Sequence, residues 1–409
     1  MNQTNHLSTE ILLEISKQYG DAFYLLNSEQ FRENYTELFK AFQTIYPHFN
    51  IAYSYKTNYT PRLCRIVNDL GGYGEVVSEM ELEAALRVGV PPQKIIWNGP
   101  IKNAGKTEEL LLAGGTVNLD SIFEWNTVKE TALKYPDRLL HIGIRCNYDI
   151  GDGTVSRFGF DVESQDFSRI LTLIKESNNV RLISLQSHFA NRSAVYWPAR
   201  AEGMIKAVHL AKEILGYVPE RIDLGGGIYG KMPEELKRQF ASAIPDYKTY
   251  AQAAAKPFAR AFPDAAPELL IEPGSALAGD SMKFVCRVGS IKTVRGKTFA
   301  TVLGSQKNVS MDGVTPPLEV YPTDGEKRRY TNLDIVGYTC IEADVLYRGF
   351  AGRLGIGDYL VFGNCGSYSL VMKPPFILPN FPVLDICDGT ITLIKTGECF
   401  DDLFHTFVF

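Results

Sequence analysis

The chain has 409 residues, of which 45% are hydrophobic and 22% are charged, and its formal net charge is −5 at pH 7. This length is enough for one large domain and a second one, and the composition is that of an ordinary globular protein. Lysine and arginine are spread along the chain, which argues against nucleic-acid and membrane-surface roles because both need a concentrated basic face.

The N-terminal sequence MNQTNHLSTEILLEISK lacks the basic and apolar regions of a signal peptide. No stretch approaches the roughly twenty apolar residues of a membrane span, so we expect a cytoplasmic protein without a membrane partner. The seven cysteines form no C-x-x-C pair and show no metal-ligand spacing, which predicts reduced thiols and no metal site.

From residue 49 onward, short apolar runs alternate with longer segments of helical periodicity. The runs that we predict as strands are FNIAYSY, GEVVS, KIIWNG, GTVNLD, LLHIGIRCN, RLISLQSHF, RIDLGGG and LLIEPG. In the segments between them, such as AEGMIKAVHLAKEILG, Leu and Ala recur at three- and four-residue spacing. Eight short strands with helical connections predict an α/β fold, a parallel (β/α)8 barrel over residues 26–275, and a doubly wound open sheet is the alternative.

After Gly274 the sequence becomes β-rich, with segments such as SMKFVCRVGSIKT and GDYLVFGNCG separated by Gly, Pro and Asp turns. This pattern predicts a second, all-β domain of barrel or sandwich type, built from residues 1–25 and 276–409. The segment Val314–Thr331 is rich in proline and charge, so we predict an exposed excursion between strands.

Polar residues stand at the ends of the predicted strands, where a (β/α)8 barrel carries its active site. Lys56 follows the first strand, Glu75 lies in the second, His188 in the sixth, and Glu272 in the eighth. Burying a lysine at the end of a strand costs free energy, so such a lysine is expected to have a function. Desolvation favours its uncharged amine, which is the form that reacts in Schiff-base chemistry. Each of these residues alone is more often structural, but their coincidence at one barrel mouth favours a catalytic site.

Nine short motifs occur in one order along nearly the whole chain. They are YSYKTN, EVVSEMEL, IRCN, RFGF, SHF, DLGGG, EPG, GYTCIEAD and FGNCGSY. Each motif is weak alone, but together they resemble the fold-type III pyridoxal-phosphate decarboxylases, which include the diaminopimelate, ornithine and arginine decarboxylases.

The resemblance implies that the barrel binds pyridoxal 5'-phosphate and that the active sites are shared within a homodimer. By this resemblance Lys56 holds the cofactor as a Schiff base, His188 stacks on its ring, and Glu272 keeps the ring nitrogen protonated. Cys340 comes from the second subunit and returns a proton to Cα. The further residues implied to bind the cofactor are Glu75, Arg145, Gly225, Gly226, Gly227, Gly274, Ser275 and Tyr368, the glycines through main-chain N–H groups.

Three departures from the family's pattern bear on the substrate. In the diaminopimelate enzymes an acid follows the cysteine and an arginine follows E-P-G, whereas this chain has Ile341 and Ser275 there. Ala190 and Asn191 stand where a Gly-Ser pair is usual. Because these changes remove charge-assisted contacts to a distal ammonium and a distal carboxylate, we expect that meso-diaminopimelate is not the preferred substrate.

The expected substrate is therefore another diamino acid, or a modified or carrier-linked amino acid delivered by a carrier protein. Asp344 remains to meet a basic distal group and Arg192 to meet an acidic one. Two alternatives stay open, an amino-acid racemase on the same barrel and a non-catalytic decarboxylase-like regulator. A racemase would pair the ring nitrogen with arginine rather than Glu272, and a regulator should have lost residues such as Lys56.

Overall fold

The structure, a computed structural model, describes residues 7–264, 267–309, 314–387 and 389–409, so residues 1–6 of the segment examined for a signal peptide lie outside the described residues. The strands are β1 Ala22–Leu26, β2 Phe49–Ser54, β3 Tyr73–Val76, β4 Ile95–Trp97, β5 Thr116–Leu119, β6 Leu140–Asn147, β7 Phe160–Asp161, β8 Val180–Gln186, β9 Arg221–Asp223, β10 Glu268–Ile271, β11 Met282–Val294, β12 Lys297–Val302, β13 Leu318–Tyr321, β14 Arg328–Val336, β15 Val345–Leu354, β16 Tyr359–Phe362, β17 Val383–Cys387 and β18 Thr390–Lys395. The α-helices are α1 Thr9–Tyr19, α2 Ser28–Gln43, α3 Pro61–Asp69, α4 Glu79–Val88, α5 Ala104–Leu112, α6 Trp125–Lys134, α7 Gln165–Glu176, α8 Trp197–Leu215, α9 Glu234–Lys237, α10 Tyr247–Ala261, α11 Ser275–Ala278, α12 Gln306–Val309, α13 Ser369–Met372 and α14 Phe400–Phe404.

The chain divides into two compact units. The barrel unit comprises the described residues of Glu33–Tyr229 and Ile244–Ala276. The β unit comprises the described residues of Met1–Arg32, Gly230–Ala243 and Leu277–Phe409.

The barrel unit contains eight parallel strands in the order β2-β3-β4-β5-β6-β8-β9-β10, and β10 pairs with β2 to close the ring. The predicted (β/α)8 barrel is therefore confirmed, and the pairing of Leu270 with Asn50 at the closure excludes the open sheet. The strands are buried on both faces, which explains why they read as continuous apolar runs rather than alternating ones. Because all eight strands are parallel, their carboxyl ends lie at one rim of the barrel.

The β unit contains a mixed sheet in the order β15-β14-β12-β11-β1-β17-β18, and β16 pairs with both β11 and β13. The early strand β1 is central because it pairs antiparallel with β11 and parallel with β17. Phe23 of β1 packs in a core with Leu12, Val285 and Leu384, so residues distant in sequence share one apolar cluster. The predicted second, all-β domain is confirmed as a mixed β-sheet domain.

The segment Val314–Thr331, predicted as an exposed excursion between strands, is mostly exposed or half-buried but forms strands itself. It contains β13 and the start of β14, and β13 pairs antiparallel with β16 from Leu318↔Phe362 to Tyr321↔Tyr359. The short apolar and β-branched run LEVY is enough to form an edge strand, although prolines and charges surround it. Within the described ranges, no helix has the length and apolar character needed to cross a membrane.

Candidate active site

Lys56 lies in a single 3-10 turn, Tyr55–Thr57, directly after β2 at the carboxyl rim of the barrel. Its side chain is 32% exposed, and its Nζ donates to Glu75 Oε2 over 2.6 Å. Glu75 lies in β3, is fully buried, and also accepts from Ser54 Oγ over 2.5 Å. Burial alone would raise the pKa of Glu75, but the Lys56 ammonium and its hydrogen-bond donors hold that pKa below its ordinary value. The amine is therefore paired with a buried anion.

Asn98 connects this pair to Glu272. Its Nδ2 donates to Glu75 Oε1 over 3.0 Å and to Glu272 Oε1 over 2.5 Å. Asn118 Nδ2 donates to Asn98 Oδ1 over 2.7 Å, which fixes the orientation of the Asn98 amide. Gln186 Nε2 donates to both Glu272 oxygens, over 3.1 and 3.2 Å. A contact array thus runs from the Lys56 amine through Glu75 and Asn98 to Glu272.

The three amide side chains of this array were not among the residues predicted from the sequence. Asn98 follows β4, and Asn118 and Gln186 lie inside β5 and β8. All three are buried. The sequence did contain a signal for these residues. In KIIWNG, GTVNLD and RLISLQ a polar residue interrupts an otherwise apolar run, and a buried polar residue needs hydrogen-bond partners.

Asp223 at the end of β9 and Glu272 directly after the neighbouring β10 form a buried pair of carboxyl groups. Burial raises the pKa of Glu272 well above its ordinary value, and the nearby charges of Asp223 and Glu75 raise it further. Burial also raises the pKa of Asp223, while a hydrogen bond from the Gly225 N–H to its Oδ1 acts in the opposite direction. Three carboxyl groups thus share an interior in which a cationic partner is strongly favoured.

His188 follows β8, and its ring is neutral. Its Nδ1 accepts the Gly226 N–H over 3.0 Å, so a single ring proton lies on Nε2. Burial lowers the pKa of His188 well below its ordinary value, and the charges of Lys56 and Arg145 lower it further. The imidazole is therefore an uncharged ring beside a lysine and an arginine.

The predicted glycine cradle is only partly available to a ligand through its N–H groups. The Gly225 N–H is bound by Asp223 and the Gly226 N–H by His188. In the described part of the chain, the Gly227 N–H has no acceptor. A Cβ on Gly226 would lie 2.6 Å from the Glu272 carbonyl oxygen, and one on Gly274 would overlap Thr57. These positions require glycine because backbone and side chains approach there closely.

Two arginines and Ser275 complete the predicted residues of the barrel unit. Arg145 is 8% exposed, its Nη1 lies 3.8 Å from Asp120 Oδ1, and burial lowers its pKa. Arg192 is half-buried, with its guanidinium carbon 5.4 Å from the centre of the Tyr229 ring. Ser275 is half-buried and begins α11. Together with Lys56, the arginines give the barrel mouth cations as well as carboxylates.

The β unit carries the other three predicted residues. Cys340 is exposed in the turn after β14, and Tyr368 has a left-handed backbone with φ of 61°. Asp344 is buried and accepts from Ser305 Oγ over 3.0 Å, from the Gln306 N–H over 2.7 Å and from Thr339 Oγ1 over 2.5 Å. These bonds occupy the Asp344 carboxylate within its own unit. Its predicted role in substrate binding stays a prediction.

A family model described as "Pyridoxal-dependent decarboxylase, pyridoxal binding domain" matches residues 32–279. Diaminopimelate decarboxylase of Aquifex aeolicus is 24% identical, over 95% of this chain and 92% of its own length. Probable chloroplastic diaminopimelate decarboxylase of Oryza sativa is 28% identical, over 94% of this chain and 79% of its own. The solved diaminopimelate decarboxylase of M. jannaschii superposes with a TM-score of 0.86 at 23% identity, covering 97% of this chain and 94% of that one.

These relatives correct the substrate prediction. We expected that meso-diaminopimelate is not preferred, but diaminopimelate decarboxylases match the chain over nearly its whole length. The prediction rested on two missing charged side chains, at Ile341 and Ser275, and single positions do not decide which charges a pocket holds. The barrel mouth contains other cations, among them Arg145 and Arg192, that lie outside those two positions.

Proposed function

Because the chain belongs to the pyridoxal-dependent decarboxylase family, we propose that it removes one carboxyl group from diaminopimelate and releases lysine and carbon dioxide. The observation that carries the proposal is the contact array from the Lys56 amine through Glu75 and Asn98 to Glu272. The relatives named diaminopimelate decarboxylase support the choice of substrate. Diaminopimelate is a free diamino acid, so the proposal needs no carrier protein.

The residues at the barrel rim fit pyridoxal 5'-phosphate, the cofactor of this family. Lys56 offers a primary amine that would bind its aldehyde, and Glu272 would pair with its ring nitrogen. The raised pKa of Glu272 supports this pairing, because a cationic ring would relieve the crowding of three buried carboxyl groups. The Gly227 N–H, which has no acceptor in the described part of the chain, leaves a main-chain donor for the phosphate group.

The bound cofactor supplies an electron sink for the bond pair that remains when carbon dioxide leaves Cα. Glu272 serves this chemistry by holding a proton at the ring nitrogen. Asn98 and Gln186 orient the Glu272 carboxylate through the three N–H···O contacts that end on it. The protein therefore holds a negative charge in a fixed position, where it stabilises the positive charge of the protonated ring nitrogen.

Glu75 is the proposed proton acceptor for the Lys56 amine. A lysine attacks a carbonyl carbon only as the free amine, so its ammonium proton must first leave. Glu75 Oε2, 2.6 Å from Nζ, is positioned to accept that proton when the amine binds the cofactor, and it stabilises the ammonium while no cofactor is bound. Its lowered pKa is consistent with an ion pair at rest.

His188 contributes a neutral surface. Because its pKa is lowered well below the ordinary value, the ring stays uncharged at neutral pH and does not repel the nearby cations. The Gly226 N–H holds Nδ1, which fixes the plane of the imidazole. We propose that this ring packs against the cofactor, as the resemblance implies.

We also propose that the enzyme is a homodimer in which Cys340 acts in the active site of the second copy. The exposure of Cys340 supports this role, because a residue that works in another subunit must be accessible on its own. In the reaction Cys340 would return a proton to Cα after carbon dioxide has left, and its thiol sulfur would be the atom that gives up the proton.

The substrate is tested by comparing kcat/KM for meso-diaminopimelate with the values for L,L-diaminopimelate, ornithine, arginine and lysine. We expect meso-diaminopimelate to exceed ornithine, arginine and lysine by at least about ten-fold, because a pocket that binds a distal carboxylate leaves buried polar groups unpaired with substrates lacking it. The L,L isomer carries the same groups and tests only the stereochemistry. A higher kcat/KM for ornithine, arginine or lysine would refute this substrate and leave the decarboxylase assignment intact.

A further inference from the structure

Arg200 is a fully buried arginine in the first turn of α8, within the barrel unit. Its guanidinium carbon lies 4.6 Å from the centre of the Trp197 ring. Burial lowers the pKa of Arg200 to about 10, so the group remains charged at neutral pH. A buried charge is costly unless an opposite charge compensates it. Among the residues that the structure describes, no carboxylate forms an ion pair with Arg200, and its Nε has no hydrogen-bond partner.

The guanidinium instead donates to backbone carbonyls of two loops at the carboxyl rim. Nη1 donates to the Gly226 oxygen over 2.9 Å, and Nη2 donates to the Phe189 oxygen over 3.1 Å and to the Asn191 oxygen. Arg200 therefore ties the glycine turn after β9 to the loop that follows His188. Both loops belong to the candidate active site.

These three bonds also fix the direction of three N–H groups. In a trans peptide the C=O and the following N–H point in opposite directions, and the described chain contains no cis peptide. The N–H groups of Gly227, Ala190 and Arg192 must therefore point away from the guanidinium. Over the described ranges, none of the three has a hydrogen-bond acceptor. N–H groups without acceptors that lie near a buried positive charge are donors that an anion can use.

We propose that Arg200 is a positioning residue that orients the N–H groups of Gly227, Ala190 and Arg192 as a site for the cofactor's phosphate group. The phosphate dianion would supply a nearby negative charge, since the Asp152 carboxylate acts on Arg200 only from beyond ion-pair distance. Gly226 places this site beside the chemistry, because a Cβ there would lie 3.3 Å from His188 Cε1. The inference rests on the proposed function in one respect, because that function identifies the anion as the cofactor's phosphate group. It does not depend on which amino acid is the substrate.

The test compares the binding of pyridoxal 5'-phosphate and of pyridoxal, which lacks the phosphate, to the apoprotein. In Arg200→Gln, we expect the preference for the phosphorylated ligand to fall at least about ten-fold, because charge-assisted contacts are lost. The affinity for pyridoxal should change by less than about three-fold, a small free-energy difference. Lys206→Gln, which removes an exposed cation from the same helix, is the matched control and should keep the wild-type preference.

Equal losses for both ligands in Arg200→Gln, or an unchanged preference, would overturn the proposal by leaving Arg200 a purely structural role. Arg200→Lys keeps the charge and loses the fork of donors, so it should retain a larger preference than Arg200→Gln. If the variants do not fold, the wild-type apoprotein decides, since inorganic phosphate should compete with pyridoxal 5'-phosphate and not with pyridoxal. Failure of that competition would equally overturn the site. These assays contain no amino acid, so the failure of diaminopimelate as a substrate would leave their results unchanged.

Discussion

Replacing Lys56 with alanine is expected to lower the decarboxylation rate by more than about a hundred-fold, because the side chain serves both covalent binding and proton transfer. The variant also leaves Glu75 buried without the ammonium that holds down its pKa. The covalent role is measured separately from activity. Reduction of the wild-type holoprotein with borohydride should fix the cofactor on the peptide that contains Lys56, and the alanine variant should give no such peptide.

Lys56→Arg separates the charge from the covalent bond. It keeps a cation beside Glu75 and does not form a stable Schiff base, so we expect a folded protein that is as inactive as Lys56→Ala. Lys94→Ala is the matched control, since Lys94 precedes β4 at the amino end of the strands. Among the described residues, its Nζ contacts the Gly71 carbonyl, over 3.2 Å, and the Tyr73 ring. A Lys56→Ala protein that kept more than about a hundredth of the wild-type rate would rule out the assigned role.

Replacing Glu272 with glutamine is expected to lower kcat by about a hundred-fold while the protein stays folded. The variant loses the negative charge opposite the ring nitrogen, and a neutral amide does not keep that nitrogen protonated. Glutamine preserves the shape and an oxygen that accepts from Asn98 and Gln186. The measurement is kcat under saturating diaminopimelate and saturating cofactor.

The same substitution should not destabilise the apoprotein. The pKa of Glu272 is raised in the folded state, so its ionised form costs stability once the pH exceeds the unfolded pKa. A neutral glutamine removes that cost, and we expect the Tm of the apoprotein at pH 8 to be equal to or above that of the wild type. Glu268→Gln is the control at the start of β10, the strand that Glu272 follows, where the carboxylate accepts from Tyr73 OH over 2.8 Å at the opposite barrel end. A normal kcat in Glu272→Gln, or a loss that merely follows a fall in Tm, would exclude the electrostatic role.

The barrel could be predicted from the sequence because each strand is a short apolar run bounded by turn residues. In the connecting helices, apolar residues recur at three- and four-residue spacing instead. The sequence also placed Lys56, Glu75, His188 and Glu272 at one rim, since parallel strands end on the same side. The hydrogen-bond array through Asn98 could not be predicted, because it joins strands that are distant in sequence and depends on side-chain rotamers. The direction of the glycine N–H groups is likewise a tertiary property, and two of the three are already bound within the protein.

The burial of Arg200 likewise could not be predicted from the sequence. This residue stands in a helical segment, WPARAEG, where an arginine is ordinarily solvent-exposed. Only the packing of α8 buries it and directs it at the carbonyls of Gly226 and Phe189. The substrate prediction was wrong for a related reason. It considered Ile341 and Ser275 alone, whereas the charge of a pocket depends on all the loops that line it.

The most direct test of the proposed reaction is to incubate the holoprotein with meso-diaminopimelate in deuterium oxide and to measure carbon dioxide, lysine and deuterium by mass spectrometry. We expect equal amounts of carbon dioxide and lysine, with one deuterium on the carbon that lost its carboxylate. Diaminopimelate that gains deuterium at Cα without release of carbon dioxide would contradict decarboxylation and would support a racemase instead.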